Sequence, residues 1–531
     1  MELSLLCLTH IQISAGFVCV TGPLADKLVA DRRIILVLYP TLFPFRWLKI
    51  SLGHLSQHFP PVFKMPETVK SIPLKVIIAG AGIGGLVTAI ALHEIGVDVH
   101  IYEAAHELKA AGVGINLQPH AVLVLRNLGL LDALDEQGIE TAEVVFMNCH
   151  GQHILSEKRG KGAGYDVPQY SIHRGELHAL LFLRTKELIG EKKIHLSHSL
   201  ESFLDNGDSI TANFIDRYTN QPLSSVNGDL LIACDGINSA ARRQLYPDEG
   251  PAKFSGRMLW RSSVEDNPYL SGKAMLWAGR ADKKFIAYPI SKPALLRGRS
   301  LINWIAELRI REIDDPDTTP PTKADWTKSV PKSVFAPDFA DWDFGWLSVP
   351  KLIEMSGEVF EFPMCDRDPV DRWSFGRMTL LGDAAHPMYP IGSNGASQAI
   401  LDAECMAHCL SCEPDVVRAL KTYEETRLPP TSAIVYANRG QGPDYVLQLC
   451  HERCPDGWKE ENGVESVIPR EELDAIGERY KKVAGFDVAS VNEKARRTAK
   501  FDEYGPRKTV VHEAEDELKM SDKVETGVEL S

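Results

Sequence analysis

The chain has 531 residues, 44% hydrophobic and 24% charged, with 40 glycines and 32 prolines, which excludes collagen-like, disordered and coiled-coil classes and leaves a globular protein of two or three domain-sized units. Its 58 Lys and Arg against 72 Asp and Glu leave a net charge of -14 with no basic stretch, so nucleic acid is not expected as a partner. Ten cysteines at irregular spacing do not make a secreted disulfide scaffold, and a reducing, cytoplasmic location is expected.

Residues 1–64 read differently from the rest. They carry six Lys or Arg and three Asp or Glu, leaving -17 for residues 65–531. Thr9, His10, Gln12 and Ser14 break the first apolar stretch, and Pro40 and Pro44 break the run from Ile34 to Phe45, so neither a signal peptide nor an integral membrane span is expected. Met65-Pro66-Glu67-Thr68 opens a polar lead into a strand, and Met65 is the expected natural start, with residues 1–64 an extension that need not be native.

From Leu74 the pattern is strand, glycine loop, helix ending at Gly96, and a second strand over 97–102, which is a βαβ unit. Residues 251–372 show short alternating runs such as Lys284-Phe285-Ile286-Ala287-Tyr288, the pattern of an antiparallel sheet. The expected fold is α/β: a doubly wound, Rossmann-like domain over 65–250 and 373–430 with an inserted antiparallel sheet domain over 251–372. A helical region over 431–500 follows, then an acidic tail over 501–531 with nine acids and four Lys or Arg, expected to be disordered.

Gly80-Ala81-Gly82-Ile83-Gly84-Gly85 fits G-x-G-x-x-G between strand and helix. Gly80 permits the tight turn, Gly82 lets backbone approach a pyrophosphate, and Gly85 lets helix pack on strand, while the helix N-terminus supplies free N–H groups. Glu103 ends the next strand, 23 residues after Gly80, where a carboxylate accepts from adenosine ribose hydroxyls. The spacing predicts a bound dinucleotide. Gly160-Lys161-Gly162-Ala163-Gly164 follows no apolar strand and reads as a flexible loop.

Two more strands run into chemical loops: 229–234 into Asp235-Gly236-Ile237-Asn238-Ser239, and 378–381 into Gly382-Asp383-Ala384-Ala385-His386-Pro387. Together with the glycine loop and Glu103, these resemble the three fingerprints of the FAD-dependent aromatic hydroxylases, the single-component flavoprotein monooxygenases. Pro168-Gln169-Tyr170-Ser171-Ile172-His173-Arg174-Gly175-Glu176-Leu177 and the run from Met388 to Ala399 resemble the methylphenazine-carboxylate monooxygenase branch, near the salicylate hydroxylases. The resemblance covers about residues 74–430.

The resemblance implies FAD as cofactor, NAD(P)H as co-substrate, and a small aromatic substrate hydroxylated with O2 through a flavin hydroperoxide. It places Glu103 on the adenosine ribose, Arg174 on the pyrophosphate, Asp383 on the ribityl chain and Gly114 along the cofactor, with Asp235 and Gly236 shaping the site. Gly392, Ser393, Asn394, Gly395 and Ala396 lie where an apolar helix starts, so their N–H groups can face the flavin pyrimidine ring, whose reduced form is anionic. Gly392 and Gly395 are the positions where a side chain would push the backbone away or demand a positive φ. The same fold also serves epoxidases, decarboxylating hydroxylases and reductases, and a non-catalytic flavin-binding protein is the alternative of another class. A monomer or homodimer is expected.

Cys405, His408, Cys409 and Cys412, with Cys450, His451 and Cys454, supply enough ligands for a metal, but the first group reads as one face-crossing apolar helix, and no metal is expected. For the substrate, Tyr389 beside Pro390 in the flavin loop and Arg261 after Trp260 are the candidate catalytic residues, with Arg261 able to pair an acidic ring. Trp277, Phe285, Tyr288 and Trp304 sit at strand-like positions, where they either wall a pocket or pack a core.

Overall fold

The structure is a computed structural model, which describes residues 10–14, 17–21, 73–108, 113–312, 315, 317–322, 328–440, 442–459 and 463–497. Two compact units divide the chain, Met1–Lys70 and Ser71–Ser531. In the first, strands His10–Ser14 and Phe17–Thr21 pair antiparallel. The start expected at Met65 and the tail expected over 501–531 lie outside the described residues.

The second unit is built on two large sheets. The first has six strands in the spatial order Ile194–His195, Asp98–Tyr102, Lys75–Ala79, Leu230–Ala233, Met378–Leu380 and Ser374–Phe375. All neighbours are parallel except the last pair. Val76, Ile77 and Ile78 are fully buried, as a parallel strand covered on both faces requires. Helix Ile83–Glu94 is buried around most of its circumference because it packs between helices Gly395–Cys412 and Arg174–Ile189.

The second sheet has seven strands: Phe360–Asp366, Lys253–Asp266, Ser300–Arg309, Lys283–Pro289, Ala274–Arg280, Glu143–Met147 and His153–Lys158. Every pairing is antiparallel except Ala274–Arg280 with Glu143–Met147. Two of its strands thus come from residues before 251. Likewise, helix Val416–Arg439 runs across the boundary expected at 430.

Period-two alternation gives this sheet two unlike faces. One carries Trp260, Phe285 and Trp304, packed in a core with Phe335 and Phe339. The other carries Leu259, Arg261, Tyr288, Asn303 and Trp277 and faces the cofactor-type loops, as Gly114 N–H donating to Asn303 Oδ1 at 2.6 Å shows. Phe285 and Trp304 therefore build the core and wall no pocket near those loops, whereas Trp277 and Tyr288 are on the loop-facing side. Residues Gly160–Ala163 form a short 3-10 turn. Among the described residues no helix is long and apolar enough to cross a membrane.

Candidate cofactor and substrate site

Strands Lys75–Ala79, Leu230–Ala233 and Met378–Leu380 are neighbours and parallel, so the three loops leaving their C-terminal ends emerge side by side. This is where open parallel sheets hold ligands. The glycines of the first loop do different work. Gly80 has φ +107, and a Cβ on it would lie 2.4 Å from the Cys234 carbonyl oxygen. A Cβ on Gly85 would lie 2.1 Å from the Gly80 carbonyl oxygen. Gly82 has an ordinary φ of -69, and a Cβ there would meet nothing within 4 Å. The protein's own packing demands Gly80 and Gly85, but nothing in it demands Gly82, which stands exposed at the N-terminus of helix Ile83–Glu94.

Glu103 braces that loop: its Oε2 accepts from Ala81 N–H at 2.7 Å and its Oε1 from Ala105 N–H at 2.8 Å. His178, one turn along the helix that Arg174 opens, binds the Ala81 carbonyl through Nε2 at 2.7 Å. Ser239 caps helix Ala240–Leu245 by accepting from Arg242 N–H at 2.9 Å, and Asp235 Oδ2 accepts from Ala240 N–H at 2.7 Å, the first free donor of that helix, while Gly236 turns the chain at φ +77. Asp383 carries an exposed side chain. Surrounding protein raises its carboxyl above the ordinary value, against the opposing pull of His386 and Arg174. Arg174 comes from a helix start and Asp383 from a strand end, and each charge favours the ionised form of the other.

In the third loop the left-handed residues are Gly392 at φ +75 and Ser393 at φ +56. Gly395 has no positive φ, so the conformational demand expected at both glycines falls on Gly392 and on Ser393. Tyr480 locks the turn: its hydroxyl donates to Asn438 Oδ1 at 2.8 Å and accepts from Asn394 Nδ2 at 3.0 Å. A Cβ on Gly392 would lie 2.1 Å from that hydroxyl oxygen. Gly395 and Ala396 open helix Gly395–Cys412, which no side chain caps, and both keep accessible surface while Asn394 is fully buried.

Above these loops, Gly114 sits under the sheet face, where a Cβ would come 2.7 Å from Tyr288 Cε2. Arg261 is buried on the same face, and burial, with Arg174 next, pulls its pKa down to about 9. Burial holds the Tyr288 hydroxyl protonated beside Asn116 and Asn303. Tyr389 belongs to an apolar cluster with Leu259, Phe362, Met364 and Ile391, and its carbonyl accepts from Asn438 Nδ2 at 3.1 Å.

Sequence reasoning passed over Asn116, Asn303 and Tyr480. Asn303 alone left a signal, a polar residue standing in register between Leu301 and Ile305. Of the cysteines, Cys405 and Cys409 lie one helical turn apart with sulfurs at 4.0 Å, while Cys450 packs in another cluster. Among the described residues no three His, Cys, Asp or Glu side chains are grouped to hold a metal.

The FAD binding domain family matches residues 73–438. Phenazine 1,6-dicarboxylic acid hydroxylase PhzS of Lysobacter antibioticus is 42% identical over 366 residues, 68% of this chain and 89% of that protein. The 3-amino-4-hydroxybenzoate 2-monooxygenase PtmB3 of Streptomyces platensis is 29% identical over 79% of this chain and 98% of its own. A salicylate hydroxylase solved as a substrate complex shares the fold at 21% identity, with a TM-score of 0.59 over 80% of this chain and 99% of that one. An uncrowded glycine at a helix start, a carboxylate braced beside it and three loops converging from one parallel sheet are what an FAD site needs, and the chain belongs to the FAD-dependent aromatic hydroxylases as an FAD-dependent monooxygenase.

Proposed function

We propose that the protein hydroxylates a small aromatic or heteroaromatic acid, phenolic or carboxylated, using NAD(P)H and O2. The observation that carries this reading is Arg261: a guanidinium buried on the sheet face that overlies the cofactor loops, beside the apolar cluster of Leu259, Phe362, Met364, Tyr389 and Ile391. A desolvated guanidinium next to apolar walls complements a flat ring with a carboxylate, since the planar fork matches both oxygens. The names of the two relatives point the same way, because phenazine 1,6-dicarboxylic acid and 3-amino-4-hydroxybenzoate are both aromatic acids.

FAD, when bound, supplies the redox and oxygen-transferring chemistry. The chain's own residues do the rest. Gly82 leaves room for the pyrophosphate against the helix N-terminus, with Arg174 on its flavin side, Glu103 on the ribose and Asp383 on the ribityl chain. Gly395 and Ala396 turn backbone N–H groups toward the pyrimidine edge, and Gly114, Asp235 and Gly236 shape the walls. Arg261 orients the ring through its carboxylate, while Tyr389 and its apolar neighbours exclude water. Tyr288 keeps its proton on Oη, so it acts as a donor and not as a base.

Purified protein loaded with FAD and screened against phenolic and heteroaromatic acids is expected to oxidise NAD(P)H faster when the right acid is present and to yield a product heavier by one oxygen. Nicotinamide oxidation indifferent to every acid, or a product that has gained no oxygen, would sink the reading. Arg261→Gln is expected to raise KM for the acid at least tenfold while FAD binding is retained.

A further inference from the structure

One chain of side-chain hydrogen bonds ties the two ends of the flavin loop to each other. Asn438 Nδ2 donates to the Tyr389 carbonyl at 3.1 Å, where the loop begins. Tyr480 Oη donates to Asn438 Oδ1 at 2.8 Å and accepts from Asn394 Nδ2 at 3.0 Å, where the loop turns into helix Gly395–Cys412. Every donor points the same way, from Asn394 through Tyr480 and Asn438 to Tyr389, and Asn394, Tyr480 and Asn438 are all buried. Bonds aligned in this manner, away from water, polarise one another. Burial also keeps the Tyr480 hydroxyl protonated, so the proton that joins the two amides stays in place.

The middle of the loop is held as well. Gln118 Nε2 donates to the Gly392 carbonyl at 3.1 Å, and the Tyr480 hydroxyl stands so close to Gly392 that no Cβ fits between them. Ser393 beside it keeps φ +56, a left-handed conformation that a side chain adopts only where its surroundings over-determine it. Tyr480 itself comes from beyond the FAD binding domain match, which ends at residue 438. It stands on the buried face of helix Arg470–Val483 with Leu473, Ile476 and Gly477. The same segment reaches the start of helix Gly395–Cys412 a second time, where the Ala484 carbonyl accepts from Gln398 Nε2 at 3.2 Å.

We propose that Tyr480 is a positioning residue for the flavin: its hydroxyl, clamping the loop through Asn438 and Asn394, aims the N–H groups of Gly395 and Ala396 at the pyrimidine edge and so favours reduced over oxidised FAD. The reason is electrostatic. Reduced FAD is anionic at that edge and oxidised FAD is not, so the uncapped N–H groups of a helix start stabilise the reduced form in particular. Donors fixed before the charge arrives need no reorganisation, whereas donors on a loosened turn do. Loss of the hydroxyl therefore leaves the binding of oxidised FAD nearly as it was and weakens that of reduced FAD. This rests on the placing of Gly395 and Ala396 at the pyrimidine edge.

The test measures the midpoint potential of FAD bound to the full-length protein, with fluorescence titration of oxidised FAD and thermal unfolding beside it. Tyr480→Phe keeps the ring and is expected to lower the potential by about 30 mV, a tenfold loss of preference for reduced FAD in a two-electron couple, while Kd for oxidised FAD stays within about threefold. Asn438→Leu cuts the same chain at the next link and should lower the potential alike. The double variant should fall no further than the larger single, because both cut one chain. Tyr165→Phe is the control: it removes a buried hydrogen bond to the Phe486 carbonyl, in the same C-terminal segment but outside the chain, and should lower Tm without moving the potential. A Tyr480→Phe protein that unfolds earlier yet keeps its potential would reduce the hydroxyl to packing and overturn the proposal, and so would an equal shift in Tyr165→Phe. If Tyr480→Phe does not fold, Asn438→Leu decides in the same way. Gly395→Val separates the proposal from the placing beneath it. If that variant leaves the potential unmoved, the helix start does not face the flavin and both fall; if it lowers the potential and Tyr480→Phe does not, only the clamp falls.

Discussion

Asp402 Oδ2 lies 2.6 Å from His386 Nε2, tying the middle of helix Gly395–Cys412 to the loop that carries Asp383. The same oxygen accepts from Gly382 N–H at 3.1 Å, and Asp402 Oδ1 accepts from Arg427 Nε at 2.7 Å. Burial alone would raise the Asp402 carboxyl, but His386 and Arg427 hold it down at about 2. One fully buried carboxylate therefore fixes the loop start, the loop histidine and helix Val416–Arg439 together.

Asp402→Asn leaves Arg427 buried without its counter-charge, and removing one partner of such a pair costs about 3 to 5 kcal/mol. Urea unfolding should show that loss, and FAD dissociation should accelerate because the Gly382–Asp383 turn is freed. Asp402→Asn combined with Arg427→Gln should lose less than the two single variants summed. Strict additivity would mean that the two residues do not act as a pair.

The glycine loop separates protein packing from ligand space. Gly82→Ala is expected to leave apo-protein stability within about 1 kcal/mol, since the new methyl meets no neighbour, while FAD affinity falls at least tenfold. Gly85→Ala drives its methyl against the Gly80 carbonyl and should cost about 3 kcal/mol or more or prevent folding. Thermal unfolding and flavin fluorescence titration of both variants read the contrast, and equal effects on folding would remove the case for ligand space at Gly82.

Much of this was legible because it is local. The run Val76 to Gly85, the acid at Glu103 and the strand-to-Gly382 turn each carry their signal within about ten residues, and the structure places all of them at the C-terminal ends of parallel strands of one sheet. Alternation also made Arg261 and Trp304 strand residues, but a period of two yields two rows without saying which row meets the other sheet. Hence Trp304 went to the core with Phe335, while Arg261 went to the site face. The Asp402–Arg427 pair was out of reach, since it joins residues 25 apart on two successive helices and exists only once they pack. The entry of Glu143–Met147 and His153–Lys158 into the second sheet is likewise a long-range pairing that no local pattern announces.

His120 sets a pH dependence. It is buried against Phe486, and burial, then Lys494 and Arg427, lowers its pKa from 6.5 to about 3. The folded protein keeps it neutral while the unfolded chain takes up a proton below pH 6.5, so stability is present above that value and is lost as pH falls toward 3. One proton's difference gives a slope approaching about 1.4 kcal/mol per pH unit. Stability measured from pH 6 to pH 4.5 should fall less steeply in His120→Asn by about that slope; parallel curves would mean that the unfolded and folded states protonate this residue alike.

The flavin loop yields the sharpest contrast between neighbouring glycines. Gly392→Ala adds a side chain at φ +75 and drives it into the Tyr480 hydroxyl, so it should destabilise the protein by about 2 kcal/mol or more. The same Cβ would lie 2.4 and 2.5 Å from Tyr480 Cζ and Cε1, so Tyr480→Phe would not relieve the clash, whereas Tyr480→Ala removes the hydroxyl and the ring at the expense of the Asn438 and Asn394 hydrogen bonds, and its double variant with Gly392→Ala should lose less stability than the two singles together. Gly395 has ordinary φ, and a Cβ on it would have its nearest neighbours at 3.9 Å, Asp383 Oδ1 and Met388 Cγ. Gly395→Val should therefore keep the fold by circular dichroism but crowd the backbone N–H groups that open the helix. Its NAD(P)H oxidation should fall, or turn into hydrogen peroxide release without hydroxylated product. Full coupling of nicotinamide oxidation to product in a correctly folded Gly395→Val protein would show that the helix start does not face the reacting end of the cofactor.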